Sequence, residues 1–412
     1  MIDFEWEPRE AGLRGMYHAV AEQVMRPLSR EFDEREGEKP WGFYETMWSA
    51  SRAGDLQLRV GRSQASEAGG DGGSARKAVN LGLVLAAEEL CWGDAGLFIS
   101  IPNAGLGGAA VAASGTPEQK EKFLQRFREG GPKWSAMAVS EPGCGSDPAA
   151  IATTATRDGD YWVLNGAKMF CTSGQMAVDK SEGFVVVWAT VDRSAGRAGI
   201  KPFVVEHHTP GMTVIRVEKK LGIRASDTAA LVFENCRIPA DHLLGSAESA
   251  RDSGFRDVMP TFDTTRTIVA AMSIGVGRAA LDCVREFLSE HGVPIRYGIA
   301  PSRLSAVERD FIAMEANLQA TRLLAWRAAW MLDMGKPNHL EASMAKAKAG
   351  LVVTEVTQKA VEILGPLGYS RSLLLEKWMR DAKINDIYEG TQQMQMLIVA
   401  RKILNYSSGE LQ

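Results

Sequence analysis

One carboxylate near the end of the chain stands where it could move a proton. In the stretch Arg380-Asp-Ala-Lys-Ile-Asn-Asp-Ile-Tyr-Glu-Gly-Thr-Gln-Gln-Met-Gln395, Trp378, Met379, Ile384 and Ile387 recur at roughly helical spacing, which predicts a helix up to Tyr388. Met394, Leu397, Ile398 and Leu404 mark one apolar stripe of a second helix. Gly390 breaks the run, and Thr391 is a good N-cap whose hydroxyl can take the first unpaired amides. Glu389 therefore falls on a tight turn with few charges beside it. Desolvation raises the pKa of such a carboxyl, while the helix N-terminus just beyond it favours the anion. A group held between those effects can serve as a general base. A capping glutamate that faces water is the other reading, and the local sequence leaves both open.

A second stretch offers ligand-binding chemistry. Ser140-Glu-Pro-Gly-Cys-Gly-Ser-Asp147 has two glycines that let backbone approach a ligand closely, together with the hydroxyls of Ser140 and Ser146. Phe170 in Met169-Phe-Cys-Thr172 is either a core aromatic or a stacking face. Asp263 and Arg266, three apart in a helical pattern, can form a local ion pair or bind a polar ligand.

The elements that must position these residues read as helical, then β, then helical. Leu13 to Phe32 has helical spacing, ended by Gly37 to Pro40, and a long apolar helix runs through Leu81, Leu85 and Leu90. Between them Glu67-Ala-Gly-Gly-Asp-Gly-Gly73 is expected to be a flexible loop. Gly105, Gly107 and Gly108 lie in a helical stretch, where each costs roughly 1 kcal/mol relative to alanine. Close helix packing is one reason to keep them there. From Trp134 the pattern changes to strands: Thr153–Thr156, Tyr161–Leu164 and Lys168–Cys171, with turn signals at Asp158-Gly159-Asp160 and Asn165-Gly166, then Phe184–Trp188, Pro202–Val205, Met212–Ile215 and Ala230–Phe233. After about Ser246 helices resume, one of them starting at Phe262 and running through Ala271, Ile274 and Leu281. The expected class is α+β, mostly α: an N-terminal helical domain over residues 1–132, an antiparallel β domain over 133–245 and a C-terminal helical bundle over 246–412.

Composition excludes several classes. A net charge of −4 without a basic block argues against nucleic acid as a partner. No run is expected to reach the length of a membrane span, and the acidic start Met1-Ile-Asp-Phe-Glu5 is no signal peptide, so a cytoplasmic location is expected. The five cysteines are scattered and form no C-x-x-C pair, which points to reduced thiols and no metal site.

The run from Arg380 to Arg401 resembles the C-terminal signature of the acyl-CoA dehydrogenases, flavoenzymes that form a double bond between Cα and Cβ of an acyl-CoA thioester. Ser140–Asp147 resembles the flavin loop of that family. So do Glu88-Glu-Leu90, Gly115-Thr-Pro-Glu-Gln-Lys120, Lys220–Thr228 and Arg237-Ile-Pro239, and the likeness runs from about residue 10 to 405. The resemblance implies that Glu389 takes the α-proton while the β-hydrogen leaves as hydride to FAD. The thioester oxygen would then be bound by the Glu389 amide and a ribityl hydroxyl. It implies FAD contacts from Val139, Ser140, Gly145, Ser146, Phe170, Thr172, Gly365, Thr391 and Gln393. Substrate contacts would come from Ser146, Asp263, Arg266, Gly390 and Arg401. The glycines at 105–108 would leave width for a compact or branched acyl group. Thr265 stands where some relatives carry the catalytic carboxylate, so the base is Glu389 or nothing.

Four departures accompany the likeness. His291 stands in a usual Arg position, with an insertion before Tyr297-Gly298, and Ser305 replaces a usual Gln. Leu364-Gly-Pro-Leu-Gly368 carries Pro366 where a second Gly is usual, after Glu362 in place of Gln, and Met396 stands where Arg is common. Most of these touch the nucleotide side of FAD, and Arg296 is the candidate to hold its pyrophosphate across a subunit contact. The expected partners are an acyl-CoA, an electron-transferring flavoprotein and further copies of this chain as a dimer or tetramer. An acyl-CoA oxidase and a non-catalytic subunit of the same fold are the alternatives.

Overall fold

A computed structural model of the protein describes residues 8–53, 78–245, 259–407 and 410. The glycine-rich stretch 67–73 lies outside the described residues. The first helical run is α1 (Pro8–Val20), a π-helical turn (Ala21–Met25) and α2 (Arg26–Glu34), followed by α3 (Trp41–Ala53). Then come α4 (Val79–Gly93), α5 (Ala95–Ser100), α6 (Gly105–Ser114) and α7 (Pro117–Leu124). The last of these opens with a capping box between Thr116 and Gln119 and has Pro117 in its first turn.

Seven strands make one sheet: β1 (Ser135–Ala138), β2 (Thr154–Asp158), β3 (Tyr161–Thr172), β4 (Phe184–Thr190), β5 (Ile200–Glu206), β6 (Met212–Val217) and β7 (Thr228–Pro239). The order is β1-β4-β2-β3-β7-β6, with β5 also on β4. Two details depart from the sequence reading. The sheet is not wholly antiparallel, because β1 runs parallel to β4 and β2 meets β4 in a parallel pair. Asn165-Gly166 is not a hairpin turn but a register shift within the single long strand β3. A Cβ at Gly166 would lie 2.4 Å from Thr153 Oγ1 and 2.7 Å from Thr153 Cα, so the chain bends there to let β2 come close. Asp158–Asp160 does form the β2–β3 turn.

The C-terminal bundle comprises α8 (Met259–Glu290), α9 (Ala306–Asp333), α10 (His339–Leu364), the short α11 (Pro366–Tyr369), α12 (Leu375–Ala382) and α13 (Gln392–Leu404). Within it, α8 packs against α4, α9 and α10. The segment Phe262–Glu290 is long and apolar enough to cross a membrane, contrary to the expectation that no run reaches that length. It is mostly buried, as the core helix of a bundle is.

Two large apolar cores result. One joins Tyr17, Met25, Phe43 and Tyr44 to the sheet residues Leu164, Val185, Phe203 and Phe233. The other joins α4 to α8, α9, α10 and α12 through Val84, Cys91, Ile274, Phe311, Val353 and Trp378. The helix glycines belong to packing. A Cβ at Gly107 would sit 2.5 Å from both Ala136 O and Ser135 Oγ, so the space they leave is filled by β1. It is not acyl width, which corrects the expectation of a compact pocket built on them. All five cysteines are unpaired.

Candidate active site

The helix before Glu389 is fastened at its start. Lys377 is buried on α12, and its Nζ donates to Asp94 Oδ2 at 2.6 Å and Asp381 Oδ2 at 2.5 Å. Asp381 accepts from the Ile223 amide at 2.5 Å, while Arg380 grips Asp33 at 2.5 and 2.8 Å and Glu376 at 2.8 Å. The Arg380–Asp381 half of the signature thus ties α12 to α2, to the N-cap of α5 and to the loop before β7. The helix does not run to Tyr388 as the spacing suggests: α12 ends at Ala382 and a 3-10 turn covers Lys383–Asp386. The tighter turn brings Asp386 against α10, where a Cβ at Gly350 would lie 2.8 Å from Asp386 Cα.

The turn itself is unusual. Glu389 has φ 56° and Gly390 φ 85°, the first a left-handed conformation that costs a non-glycine residue on the order of 1–3 kcal/mol. Gly390 has no alternative, since a Cβ there would also meet Gln395 Nε2 at 2.4 Å. The conformation is held by its carbonyls. Gln395 Nε2 donates to Glu389 O at 3.2 Å and Gly390 O at 3.3 Å, and buried Lys346 Nζ donates to Gly390 O at 2.6 Å. Thr391 caps α13, accepting from the Met394 amide at 3.3 Å, as its position predicts.

Because Thr391 does the capping, Glu389 is free to turn inward. Thr265 Oγ1, on α8, donates to Glu389 Oε2 at 2.9 Å. Burial pushes the Glu389 carboxyl above the usual range; the Thr265 hydrogen bond and the charges of Arg266 and Lys346 oppose that rise without cancelling it. The water-facing cap is therefore not what the fold contains. Thr265 also acquires a meaning: the two positions at which the family resemblance places a carboxylate meet here, one as hydroxyl and one as acid. Among the described residues the Glu389 N–H has no protein acceptor, so it remains available to a ligand carbonyl.

On α8 beside Thr265, Arg266 Nη1 donates to Asp263 Oδ1 at 2.7 Å, and His339 Nδ1 lies 3.3 Å from the same oxygen. Burial raises Asp263 and lowers Arg266 from their usual values. Arg266 Nε is buried without a partner, a donor still to be satisfied. The local ion pair and the ligand-binding reading are thus compatible.

The glycine-rich loop is braced from beneath by two charged residues that the sequence reading passed over. Glu141 accepts from the Ala152 amide at 2.7 Å, the Thr153 amide at 3.0 Å and buried Lys168 Nζ at 2.7 Å; Lys168 also donates to Val139 O at 3.0 Å. The Met169 amide adds a bond to Ser140 O at 3.0 Å, a further tie between the loop and β3. The signal was an opposite-charge pair, Glu141 inside the loop motif and Lys168 immediately before Met169-Phe-Cys-Thr172. On the outside Gly145 and Ser146 are exposed. Phe170 is 61% exposed with φ 56°, on the bulge between Lys168 and Cys171, and Thr172 is partly buried beside it. A core aromatic is thereby excluded. An exposed ring next to exposed loop amides fits a flat cofactor such as FAD. Val139, Cys144 and Phe262 pack on the same small cluster, so this loop meets the start of α8, the helix that carries Asp263, Thr265 and Arg266.

The remaining candidates lie apart from the carboxylate. Arg296 Nε and Nη2 bind Glu308 at 2.7 and 2.8 Å, and Nη2 also reaches Arg303 O at 3.2 Å. Glu308 in turn forms a capping box with Ser305 at the start of α9. The structure therefore gives Arg296 a partner in the first turn of α9, and Ser305 is explained as a helix cap, a signal present in Ser305-x-x-Glu308. His291 stacks on Phe287 at 4.1 Å. Gly365 ends α10 with φ 55°, and Pro366 opens α11, a position where a missing N–H costs nothing. Gln393 is exposed on the first turn of α13, and Arg401 lies in its last turn with Nε buried and unpartnered.

Family models for the acyl-CoA dehydrogenase N-terminal, middle and C-terminal domains match residues 7–131, 136–236 and 252–404. The chain belongs to the acyl-CoA dehydrogenase family. Family members are flavoproteins, and the protein is an oxidoreductase of their three-domain architecture, a β domain between two helical ones. The short-chain specific acyl-CoA dehydrogenase of Bos taurus mitochondria is 41% identical over 78% of this chain and 75% of its own length. Butyryl-CoA dehydrogenase from Megasphaera elsdenii superposes with a TM-score of 0.82 at 31% identity, covering 98% of this chain and 100% of that one. A chain solved in work on the electron-transferring flavoprotein of Acidaminococcus fermentans gives 0.81 at 32% identity, with 98% and 100% covered.

Proposed function

We propose that the protein catalyses α,β-dehydrogenation of a short-chain acyl-CoA thioester, with Glu389 as the base that takes the α-proton. The observation that carries this reading is the Glu389 carboxylate itself. It is held off the helix, in a left-handed turn, with its Oε2 on Thr265 and its own amide unpaired. FAD, when bound, supplies the acceptor for the hydride that leaves Cβ.

The chain's residues account for the rest. The free Glu389 amide stabilises the charge that develops on the thioester oxygen as the proton leaves; one such donor contributes about 3 kcal/mol. Thr265 aims the carboxylate, and the raised proton affinity of Glu389 suits it to hold the proton it has taken. Asp263, Arg266 and Arg401 bind the CoA portion, with Arg266 Nε and Arg401 Nε as donors without a protein partner among the described residues. Val139, Ser140, Gly145, Ser146, Phe170 and Thr172 would hold the flavin, with Gly365, Thr391 and Gln393 on its nucleotide side. The short-chain preference is supported by the names of the similar proteins. An electron-transferring flavoprotein as electron acceptor is supported by the solved chain of similar fold. A homo-oligomer is supported by the apolar face that α13 leaves exposed at Met396, Leu397, Ile403 and Leu404.

The test is anaerobic bleaching of the flavin by a panel of acyl-CoA thioesters, with butyryl-CoA expected to give the highest kcat/KM. Glu389→Gln should retain FAD and lose bleaching. Normal bleaching in that variant overturns the assignment of the base, and highest efficiency with a long-chain acyl-CoA overturns the substrate class.

A further inference from the structure

Lys346 is a charged side chain with no role in the chemistry above. It lies on α10, 1% exposed, and among the described residues the Gly390 carbonyl at 2.6 Å is its one hydrogen-bond partner. A buried ammonium satisfied by a single neutral oxygen is expensive to keep, so its placement calls for a reason. One helical turn further along, α10 carries Gly350, the position that admits the 3-10 turn leading to Glu389. The same face of α10 thus shapes both sides of the Glu389 turn.

We propose that Lys346 is a positioning residue for the base: seated on the Gly390 carbonyl, its ammonium holds the left-handed Glu389–Gly390 turn and sets a cation near the carboxylate. The inference rests on the reading of Glu389 as base. Gln395 reaches the same carbonyl, but from within α13 and without charge. Lys346 ties the turn to a different helix and adds a cation.

Among the described residues, the charged groups facing the turn are few. Arg266 from α8 and Lys346 from α10 oppose the burial that raises Glu389, and the Thr265 hydroxyl acts in the same sense. Facing Lys346 are Glu389, Asp386 and Arg266; burial pushes its own pKa down to about 8. Lys346 is therefore charged through the whole range in which a carboxyl titrates and loses its proton only above that range. Removing the charge withdraws one of three effects that hold Glu389 down. Its pKa should rise further, and the acid limb of the kcat/KM profile should move to higher pH.

Two variants separate charge from anchoring. Lys346→Gln keeps an N–H donor for Gly390 O but not the cation; it should shift the acid limb upward by about one pH unit while retaining most of the plateau rate. Lys346→Met removes both. It should show the same shift with a plateau for flavin reduction lowered roughly tenfold to a hundredfold, as expected when a base is displaced by a fraction of an ångström. A readout independent of turnover is the infrared carboxyl band of the FAD-bound protein, assigned as the band missing from Glu389→Gln, which should protonate at higher pH in both variants. An unshifted acid limb and band in Lys346→Gln overturn the proposal, whatever the folding of Lys346→Met. If Glu389→Gln itself bleaches normally, it is the assignment of the base that fails, and this result is distinguishable from failure of Lys346 alone.

Discussion

The turn at Glu389 and the connection at Arg296 make an instructive pair. Each presents a charged side chain in a loop between helices, and each was singled out by residue type and place in the chain. The Glu389 turn is gripped from three helices: Thr265 on α8 holds the carboxylate, Gln395 on α13 the Glu389 carbonyl and Lys346 on α10 the Gly390 carbonyl. Its strained conformation persists because these partners over-determine it. Arg296 is half-exposed and answers to one carboxylate twelve residues away, that of Glu308. A charged group held by distant elements is set in a defined place for chemistry, whereas one held by a near neighbour is accounted for by local structure.

The comparison can be attacked at its strong end first. Beyond Glu389→Gln, the largest loss is expected from Gly390→Ala, which adds a Cβ 2.4 Å from Gln395 Nε2 at a φ that alanine resists. Flavin reduction should fall about a hundredfold with FAD still bound. A rate within twofold of the parent would show that the turn needs no such geometry. Next is the brace beneath the glycine-rich loop. Glu141→Ala leaves the Lys168 ammonium buried without its carboxylate, a loss of about 3–5 kcal/mol that should lower the thermal midpoint and release FAD on gel filtration. An unchanged midpoint would mean that water or another acceptor replaces Glu141.

Asp263→Ala should act more mildly, raising KM for acyl-CoA by about tenfold with kcat little changed, since its inferred role is uniform binding. A kcat loss at constant KM would move Asp263 into the chemistry. The smallest effect is expected from Arg296→Ala. With its guanidinium engaged by Glu308 in an exposed loop, the variant should keep its flavin through dilution and lose only a little thermal stability. Loss of FAD from this variant would bring back the pyrophosphate role and narrow the contrast between the two regions.

Much of this protein was legible locally. Helical spacing from Leu13 to Phe32 and through α8, and the strand runs from Phe184 onward, correspond to the elements found, because one-sided burial imposes a period that residue types must follow. Gly390 as breaker and Thr391 as cap were readable for the same reason: a turn makes demands that only a few residues meet. The glycine-rich loop after β1 was readable from residue type and order, whereas the exclusive candidacy of Glu389 came from the family resemblance, the local sequence leaving two readings open.

What the tertiary structure decided were the partners. Thr265 lies 124 positions from Glu389 and Lys346 44 from Gly390, and no local pattern encodes which side chains meet across a bundle. The same holds for Phe170, whose exposure depends on a bulge in β3 set by its pairing with β7, and for Gly166, which bends that strand where Thr153 comes close. Gly107 shows the converse: its absent side chain was visible in the sequence, but only the strand packed against it shows that the room is already filled. Local sequence determines where the chain turns and which face is apolar, because those depend on neighbours one to four residues away. Proton affinity, strain and fit depend on what packing brings within a few ångströms, and only the assembled fold supplies that.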